Sequence, residues 1–498
     1  MNFSEVVINL FSKWNKEQFV YCHWKSTNHL KESFLAKTDL DVLIDRSNVE
    51  PAVASALQLG FVELKTTHFR GYPSVRDFVA YDNVLKSWIH LHFHTQLICG
   101  DRWVKSYHLP FEKLILQNRV KHKDFDIWII SPEDELLILI YRMNAKFKKN
   151  WLLDKKIQIE INFLLTDFRE NESSNVNKSG IRTHIDERAN ILFEQLINKD
   201  LDFLKLNINA YRKAFKIKEF MRMSSLRFFF LSKIRYIYRL YIEIKRRKFR
   251  NYDSGRRSLS NGGLVIAFVG IDGSGKTSGI KIITRFFAQQ VNVQCNFLGS
   301  GKSGASLPRK LIMNLFGFKA KFKGHQEVRK ANSIDNIENN KILKKPPFYY
   351  SIWVLWCTID RERQLKKIQR GLANGKLVFV DRWLQDDVKN GVDAPRLYNY
   401  KYLKGLTGYV ARREAKLYKK IKLIPLHQVL KLNIIPEVSL KRKPDELTYE
   451  GAEKAIKNMN NIRWPEGTQI IDIDATKEQT SVTMNMIDSI WHLLLSFR

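Results

Sequence analysis

The stretch from Gly270 to Thr277 constrains the fold of this 498-residue chain more than any other, because it spells G-x-x-x-x-G-K-[ST]. A short apolar run, LVIAFV, precedes it, and a run with helical spacing, SGIKIITRFFAQQ, follows it. This order of strand, glycine loop and helix is the context in which the motif binds phosphate. Glycines let the loop turn its backbone N–H groups onto phosphate oxygens, and the helix amino terminus adds partial positive charge.

Strand and helix patterns alternate from Leu264 to the end of the chain, which is typical of an α/β fold with a parallel sheet covered by helices. Within the loop we expect Lys276 to reach the β- and γ-phosphates of ATP and Thr277 to bind Mg²⁺. A glycine turn with a purely structural role is the alternative interpretation. The candidate ATP-binding residues of the loop are Gly270, Asp272, Gly273, Ser274, Gly275, Lys276, Thr277 and Ser278.

A second apolar strand, KLVFVD, ends in Asp381 and Arg382. A carboxylate at the carboxyl end of a buried parallel strand, beside a phosphate loop, is suited to hold Mg²⁺ or to act as a catalytic acid. Arg382 would make charge-assisted hydrogen bonds to a phosphate. The alternative is a strand-end turn that carries a surface ion pair.

The order of these motifs resembles the thymidylate kinase family. GIDGSGKTS followed by VDRW is similar to that family's phosphate loop and DRY-type strand end. The helix SIWVLWCTIDRERQLKKI, the segment LNIIPEVSLKRKPDE and the strand IIDIDAT also occur in the family's order. The likeness covers about residues 262–498. It implies a five-stranded parallel sheet with helices on both faces, and ATP-dependent phosphorylation of a nucleoside monophosphate.

The same resemblance implies roles for individual residues. Asp360 and Arg361 would flank the acceptor nucleotide, and the bases at 441–443 would form a lid near the transferred phosphoryl group. The loop at 474–476 would lie on the adenine side. The candidate catalytic residues are therefore Lys276, Asp381, Arg382 and Arg442, further nucleotide-binding candidates are Arg361, Lys443 and Ala475, and the Mg²⁺ candidates here are Thr277 and Asp381.

Two segments depart from the family pattern. The Arg-Glu-Pro motif that usually follows the second strand is replaced by NFLGSGKSGASLPRK, in which Gly301, Lys302 and Ser303 form a second Gly-Lys-Ser loop. That loop is either a site for an acceptor phosphate or a plain connection. The segment DDVKNGVDAPRL also differs from the usual thymidine-binding helix. In these features the chain resembles the divergent thymidylate kinase-like proteins found with bacterial surface-polysaccharide genes.

Residues 1–205 are expected to form a mixed α/β domain with a helical extension. We expect a helix from Ser4 to Asn15, a hairpin of RDFVAYD and KSWIHLHFH around Asn83, and a helix that opens at Ser131-Pro132-Glu133. Asp39 and Asp41 lie two residues apart at the start of a strand, so both side chains point to one face and suit joint chelation of Mg²⁺.

This pattern resembles the nucleotidyltransferase fold, whose third carboxylate normally comes from a later Asp-Leu-His strand. Here His90 stands in that place. The resemblance leaves two interpretations open, an active transferase or a degenerate nucleotide-binding or regulatory domain. His90, His92 and His94 share one strand face, but one strand cannot easily wrap alternate ligands around a tetrahedral ion, so we expect a half-buried structural strand rather than a three-histidine site.

Residues 206–250 combine many Lys and Arg with aromatic residues and contain only Glu219 and Glu243 as acids. Three interpretations are open: a helix on an anionic lipid surface, a nucleic-acid contact, and a helix packed between two domains. The run DSGRRSLSNGG then predicts a flexible linker. The expected domains are thus 1–205, a basic helix and linker at 206–260, and the phosphate-loop domain at 261–498.

The net charge of +33 favours polyanionic partners. Four scattered cysteines and no apolar run of spanning length indicate a cytoplasmic protein, peripheral to the inner membrane if the basic helix binds lipid. The expected partners are a nucleotide or phosphorylated small-molecule acceptor, an anionic membrane surface, and a second copy of the chain; nucleic acid ranks behind the lipid surface. An ATP-binding regulatory or assembly protein, and nucleotidyl transfer at Asp39 and Asp41, are the alternatives to phosphoryl transfer.

Overall fold

The chain divides into two units, residues 1–245 and 246–497, in a computed structural model. Each unit buries hydrophobic clusters of its own. The residues that the structure describes are 3–66, 71–101, 103–146, 155–171, 180–198, 207–249, 257–301, 305–306, 309–310, 345–388, 391–444 and 448–497.

The first unit is mixed α/β, as predicted. Its strands are β1 (Tyr21–His23), β2 (Leu40–Ile44), β3 (Val62–Thr66), β4 (Val75–Asp82), β5 (Ser87–His94), β6 (Leu97–Cys99), β7 (Tyr107–Leu109), β8 (Val120–Lys121) and β9 (Trp128–Ile129). Its helices are α1 (Glu5–Lys16), α2 (Leu30–Phe34), α3 (Val49–Gln58), α4 (Glu112–Gln117), α5 (Pro132–Lys146), α6 (Lys155–Asn171), α7 (Glu187–Asn198), α8 (Ile208–Ala214) and α9 (Ser225–Phe249).

Helix α1 forms where the sequence predicts it. The hydroxyl of Ser4 caps its amino terminus by accepting a hydrogen bond from the N–H of Val7. Its apolar face is buried in the first unit and consists of Val7, Leu10, Phe11 and Trp14. The expected helix at Ser131-Pro132-Glu133 also forms, as α5, with acidic residues in its first turn.

The sheet of the first unit brings the acidic strand β2 beside the histidine strand β5. Its strands run in the order β3-β4-β5-β2-β1-β9-β8. The predicted hairpin is confirmed, because β4 and β5 pair antiparallel. Strand β5 pairs parallel with β2 on its other side. In this register His92 lies opposite Asp77 on β4 and opposite Asp41 on β2. The three residues therefore occupy neighbouring positions on three adjacent strands.

The second unit contains the five-stranded parallel sheet that the motif order implies. The strands of the sheet are β11 (Leu264–Val269), β12 (Val293–Phe297), β13 (Leu377–Asp381), β14 (Gln428–Asn433) and β15 (Gln469–Asp474), and the short strand β10 (Arg257–Leu259) precedes them in the chain. Its helices are α10 (Lys276–Phe287), α11 (Phe348–Ala373), α12 (Gly405–Ile421), α13 (Pro436–Arg442), α14 (Tyr449–Asn460) and α15 (Gln479–Ser496).

The sheet order β12-β13-β11-β14-β15 explains why helices cover both faces. All four pairings are parallel, so every connection crosses over the sheet. The chain moves one way from β11 to β12 and the opposite way from β12 through β15. Because such crossovers are right-handed, the reversal places α10 on one face and α11 and α12 on the other. The carboxyl end of β11, where the glycine loop begins, lies between β13 and β14.

The structure corrects the linker prediction at residues 257–259, which form the short strand β10. The glycine and serine content of this stretch suggests flexibility, but Leu259 is buried and its N–H donates to Gly375 O at 2.8 Å. The N–H of Gly263 donates to Leu372 O at 3.0 Å. One buried leucine and these backbone bonds therefore tie the stretch to the end of α11 and the turn that follows it.

Helix α9 confirms helical structure in the basic aromatic segment. Much of its apolar surface is exposed to solvent, including Leu226, Phe229, Phe230, Ile234, Ile237, Leu240, Tyr241 and Ile244. Among the helices in the described parts of the chain, none combines the length and the apolar composition that crossing a bilayer requires.

Candidate functional site

The glycine loop joins the buried strand β11 to helix α10, in the order that the sequence predicts. Gly273 and Gly275 adopt left-handed backbone conformations, with φ angles of +87° and +85°, which non-glycine residues rarely reach. A Cβ atom on Gly270 would lie 2.5 Å from Ser274 Oγ and 2.8 Å from Leu432 O. The loop therefore depends on glycine both for its turns and for the close approach of β14.

Lys276 is buried at the start of α10, and its ammonium group is held by the loop itself. Nζ donates to Gly270 O at 2.8 Å, to Ile271 O at 2.7 Å and to Ser274 Oγ at 3.2 Å. Burial, together with the nearby charge of Arg382, lowers the pKa of Lys276 to about 8. The ammonium group is thus fixed against the loop.

Thr277 and Asp381 meet at the carboxyl ends of β11 and β13. Thr277 Oγ1 donates a hydrogen bond to Asp381 Oδ2 at 3.0 Å. The second carboxylate oxygen, Oδ1, is buried and has no hydrogen-bond partner among the described residues. Burial raises the pKa of Asp381. A hydroxyl and a buried carboxylate oxygen without a partner are oxygen ligands of the kind that Mg²⁺ binds, so these two residues fit the ion.

Arg382 turns back onto the glycine loop. Its backbone is left-handed, with φ +70°, and its guanidinium donates to Asp272. A second carboxylate, that of Asp393, lies 3.7 Å from its Nη1. Burial alone would lower the pKa of Arg382, but Asp393, Asp272 and Asp381 raise it, so the guanidinium stays charged. The side chain is only 21% exposed, which does not fit the alternative of a surface ion pair.

Helix α13 joins the candidate lid to the loop. Ser439 Oγ donates to Asp272 O at 2.7 Å, and Arg442 Nη1 donates to Gly273 O at 3.3 Å. Arg442 also donates to Ala475 O at 2.9 Å, which brings the loop after β15 to the same place. Lys443 lies close enough to help lower the pKa of Asp272, although burial of that carboxyl group acts in the opposite direction. Four of the candidates, Asp272, Gly273, Arg442 and Ala475, are therefore neighbours.

Arg361 contacts the segment after β12 rather than the glycine loop. It is buried on α11, where Nε donates to Leu298 O at 2.8 Å and Nη1 donates to Tyr418 Oη at 3.4 Å. These bonds run to residues other than the loop at 270–278. The remaining nitrogen, Nη2, is buried and has no hydrogen-bond partner in the described parts of the chain. In this structure Arg361 therefore binds the backbone of the segment that follows β12, at Leu298.

Two further arginines meet the segment at 298–301, and sequence reasoning did not single them out. Arg309 donates to Gly301 O, and Arg396 donates to Ser300 Oγ at 2.9 Å. The Arg396 guanidinium also lies 4.6 Å from the ring of Trp353. Arg396 belongs to the segment DDVKNGVDAPRL. The departure of that segment from the thymidylate kinase pattern was the one sequence signal that could have marked this arginine. Of the second Gly-Lys-Ser loop, Lys302 and Ser303 lie outside the described residues.

The first unit gathers a second group of candidate ligands around Asp39 and Asp41. His90 Nδ1 lies 3.1 Å from Asp39 Oδ1, and His92 Nδ1 lies 3.1 Å from Asp41 Oδ1. His94 Nε2 lies 3.0 Å from the same oxygen of Asp41. The two carboxylates therefore face the histidine strand, as the sequence pattern allows, but each is engaged by imidazole rings.

Asp77 supplies a third carboxylate that sequence reasoning missed. Its Oδ1 lies 3.2 Å from His90 Nε2 and 3.0 Å from His92 Nε2. Asp77 is 7% exposed, and it reaches the group from β4 rather than from the histidine strand. No local motif marks it; only the β4–β5 register, in which Asp77 faces His92, could have indicated it.

The charges in this group are strongly coupled. Burial alone would lower the pKa of His92, but its hydrogen bonds to Asp41 and Asp77 raise that pKa to about 9. Burial lowers the pKa of His94 to about 4. Burial would raise the pKa of Asp41, yet Lys25 and the two histidines hold it well below its ordinary value. Asp41 is thus an ionised carboxylate that already has a cationic partner, since Lys25 Nζ lies 2.9 Å away.

Comparisons with known proteins give one sequence relationship of note. A scan against models of known protein families finds no match. The chain is 26% identical over 222 residues to the "Uncharacterized ATP-binding protein YghR" of Escherichia coli, in strain K12 and in an O6:H1 strain, which covers 44% of this chain and 83% of the relative. Among solved structures, thymidylate kinase from Ehrlichia chaffeensis matches 46% of this chain and 98% of its own, with 16% identity and a TM-score of 0.25. The second unit has the strand order and the glycine loop of a phosphate-loop fold with a five-stranded parallel sheet.

Proposed function

We propose that the second unit is an ATP- and Mg²⁺-dependent phosphotransferase that acts on a nucleoside monophosphate, with dTMP as the first candidate acceptor. The observation that carries this proposal is the 3.0 Å hydrogen bond from Thr277 to Asp381. It lies beside the glycine loop, whose backbone is hydrogen-bonded to the buried ammonium group of Lys276. These groups belong to segments more than a hundred residues apart, and they converge on one edge of the sheet. The name of the E. coli relatives, which describes ATP binding, supports ATP as the nucleotide.

In this proposal the donor is held by the loop. The backbone N–H groups of residues 270–277 and the ammonium group of Lys276 bind the phosphates of ATP. Thr277 and Asp381 hold Mg²⁺, which when bound offsets the negative charge of the phosphate oxygens. Phosphoryl transfer needs little covalent help from protein, so positioning and electrostatics account for the rate.

Two guanidinium groups border the place where charge would develop. Arg382 is fixed by Asp272 on the loop, and Arg442 is fixed by two carbonyl oxygens. Fixed cations need no reorganisation when the phosphoryl group moves, so they stabilise the transition state more than mobile ones would. We assign to these residues the stabilisation of the transferred group, with Lys443 as a further cation near Asp272.

The acceptor would lie next to the segment at 298–301. Arg309, Arg361 and Arg396 each donate a hydrogen bond to this segment. Three guanidinium groups around one connection favour an anionic acceptor such as a nucleoside monophosphate. Because the segment departs from the thymidylate kinase pattern, and resembles the divergent surface-polysaccharide type there, the acceptor panel for testing must extend beyond dTMP to other nucleotides and sugar phosphates.

The direct test is transfer of the labelled γ-phosphoryl group from ATP, with Mg²⁺, to that panel. We expect one acceptor to be labelled by the wild-type chain and not by Lys276→Ala. ATP binding without any labelled acceptor would overturn the phosphotransferase proposal and favour the regulatory or assembly role. Absence of ATP binding would overturn both.

A second candidate function is favoured by the arrangement of Asp39, Asp41 and Asp77 in the first unit. Three carboxylates near one strand face are compatible with metal-dependent nucleotidyl transfer. This hypothesis predicts release of pyrophosphate from a nucleoside triphosphate that Asp41→Ala abolishes and Lys276→Ala leaves intact. Failure of either part would exclude it.

A further inference from the structure

The first unit contains a metal-binding geometry that does not depend on the proposed phosphotransferase. Its ligands come from different strands: Asp39 precedes β2, whereas His90 and His92 lie on β5. The sequence alone argued against a histidine site, because one strand cannot wrap its alternate residues around an ion. The parallel pairing of β2 with β5 removes that difficulty by adding a carboxylate from the side.

The His90 ring is already oriented as metal ligands usually are, and the His92 ring shares its contact with Asp77. Both Nε2 atoms face Asp77, at 3.2 Å from His90 and 3.0 Å from His92. Metal-binding histidines commonly engage a carboxylate with one ring nitrogen, which fixes the ring and leaves the other nitrogen for the ion. Here the Nδ1 atom of His90 faces Asp39 at 3.1 Å.

The separations match the size of a bound ion. The ligand atoms offered by Asp39, His90 and His92 all lie within 4.8 Å of one another. Ligands at the usual zinc distances on a tetrahedral ion are about 3.3 Å apart, close to the observed contact between Asp39 and His90. His92 Nδ1 lies 3.1 Å from Asp41 Oδ1, so an ion at this site would replace that contact of the His92 ring.

The neighbouring group of Asp41, His92 and His94 also has ligand spacing, but it is a weaker site. Lys25 Nζ lies 2.9 Å from Asp41 Oδ1, so a cation already occupies one side of that carboxylate. The side chain of Asp39, by contrast, is 55% exposed, which leaves an approach from solvent. Imidazole nitrogen and carboxylate oxygen together favour a borderline transition metal such as Zn²⁺ over Mg²⁺.

We propose that Asp39, His90 and His92 bind a divalent transition-metal ion, with Zn²⁺ as the reference ion and Asp77 as the positioning residue behind both rings. The open position on the solvent side suits a water molecule or a substrate oxygen as the fourth ligand. This differs from the all-carboxylate Mg²⁺ site that the nucleotidyltransferase resemblance implies, in both ligands and ion.

The test uses the full chain, stripped with a chelator and titrated calorimetrically with ZnCl₂ and, separately, with MgCl₂. We expect one Zn²⁺ per chain and no comparable heat with Mg²⁺. Titration with CoCl₂ adds an electronic absorption spectrum that reports imidazole ligation directly in the wild-type protein. Absence of both signals would overturn the site without any variant.

Variants then locate the ion. His90→Gln with His92→Gln should abolish the Co²⁺ spectrum, and Asp77→Asn should weaken affinity by about 10- to 100-fold. His184→Gln, an exposed histidine elsewhere in the same unit, is the matched control and should bind normally. Circular dichroism must show the same folded content in each variant. An unchanged spectrum in the folded double variant would overturn the assignment.

A second inference rests on helix α9. Its exposed apolar residues follow helical spacing from Leu226 through Phe230, Ile234, Ile237 and Tyr241 to Ile244, which makes one stripe along the helix. Each of these side chains is between 50% and 72% exposed. Soluble proteins rarely leave a stripe of this length uncovered unless it meets a partner.

The opposite side of α9 is the one attached to the first unit. Arg235 donates to Trp103 O at 2.8 Å, and the Arg239 guanidinium lies 5.1 Å from the Trp103 ring. Ile242 is buried nearby on the same side. The helix is therefore held by its inner residues, and its apolar stripe faces away from the unit.

Charge decides between the candidate partners. The sequence of α9 contains eight Lys or Arg residues and one acid, Glu243. A second copy of the chain would bring a helix of the same sign against it, which is unfavourable. An anionic lipid surface supplies both an apolar layer and opposite charge, and aromatic residues such as Phe229 and Tyr241 suit the headgroup level. We infer that α9 lies on anionic lipid with its stripe inserted.

Co-sedimentation with vesicles tests this inference. We expect the full chain to sediment with vesicles that contain phosphatidylglycerol, less with phosphatidylcholine alone, and less again at high salt. The double variant Phe230→Glu, Ile237→Glu should lose binding, and Leu423→Glu, at an exposed leucine in the second unit, should keep it. Binding that ignores lipid charge, or an α9-dependent dimer in place of vesicle binding, would overturn the inference, as would retention by nucleic acid alone.

Discussion

Thr277 and Asp381 are joined by a hydrogen bond of 3.0 Å, although 103 residues separate them in the chain. The bond links the first turn of α10 to the last residue of β13. It leaves one buried carboxylate oxygen of Asp381 without a partner among the described residues. A metal ion at this position would be bound by these two side chains, which the hydrogen bond already holds together.

Replacing Thr277 by Val should therefore lower catalysis without unfolding the protein. The change removes a hydrogen bond to a charged group, and we expect a loss of about 2 kcal/mol in kcat/KM, or roughly 30-fold. The measurement is kcat/KM for transfer from ATP as a function of Mg²⁺ concentration. Thr284→Val, one buried position two turns along α10, is the control and should retain activity. Equal losses in both variants would contradict a specific role.

The affinity for ATP should fall as the pH rises through about 8. The pKa of Lys276 is lowered to about 8 by burial in the free protein. Bound phosphate favours the charged ammonium, so nucleotide binding takes up a proton above that pH and is weakened there. Titration calorimetry across this range, in buffers of different ionisation enthalpy, measures both the affinity and the proton uptake. Lys276→Met should bind more weakly and show no such slope; an unchanged slope would contradict this assignment.

Gly270→Ala should impair nucleotide binding more than it impairs folding. Its Cβ would lie 2.8 Å from Leu432 O, so the loop must shift away from β14. We expect ATP affinity to fall by at least about 10-fold, because a displacement of this kind moves several N–H donors at once. Gly467→Ala is the control: that glycine also has a positive φ, of +78°, but nothing lies within 4 Å of its Cβ position. It should cost stability and leave ATP affinity unchanged.

Arg442→Ala should lower kcat more than it raises the KM for ATP. The side chain joins α13 to Gly273 O and Ala475 O, so its loss both removes a cation and releases the lid. We expect about a 100-fold decrease in kcat, the size found for lost transition-state donors. Lys457→Ala, an exposed lysine on α14, is the matched control. A change confined to KM would indicate simple ATP binding instead.

The first unit should lose stability as the pH rises from about 4.5 to about 7. Burial raises the pKa of Glu135 to about 7 from its ordinary 4.5, so the folded state binds more protons in this window than the unfolded state. The free energy of unfolding then falls with pH, by about 3 kcal/mol for this group. Glu135→Gln should flatten the dependence measured by denaturant unfolding. Glu50→Gln, at a glutamate whose side chain is 79% exposed, should leave it unchanged.

The sequence predicted the structure best where a feature depends only on consecutive residues. The segment around Gly270 predicts strand, loop and helix together, because only that order presents N–H groups to a phosphate. Ser4 likewise marks the start of α1, since its hydroxyl caps the helix. Such features need no knowledge of distant residues.

Features that depend on register were out of reach. Asp77 joins His90 and His92 only through the pairing of β4 with β5, and its own neighbours in sequence do not distinguish it. The partners of Arg361 were out of reach for a similar reason, because the Leu298 carbonyl and Tyr418 hydroxyl that hold it come from other elements. At residues 257–259, composition predicted flexibility, but the structure has a short strand in which Leu259 is buried and hydrogen-bonded to Gly375.

Ser439 and Arg442 reach the glycine loop and the loop after β15 through main-chain oxygens, those of Asp272, Gly273 and Ala475. Every amino acid carries such an oxygen, so mutation cannot delete the acceptor without moving the backbone. Substitution can therefore remove these contacts only at the two donors, Ser439 and Arg442. In distant descendants of this chain we expect the serine and the arginine to persist while the side chain at position 475 drifts among those that its space admits.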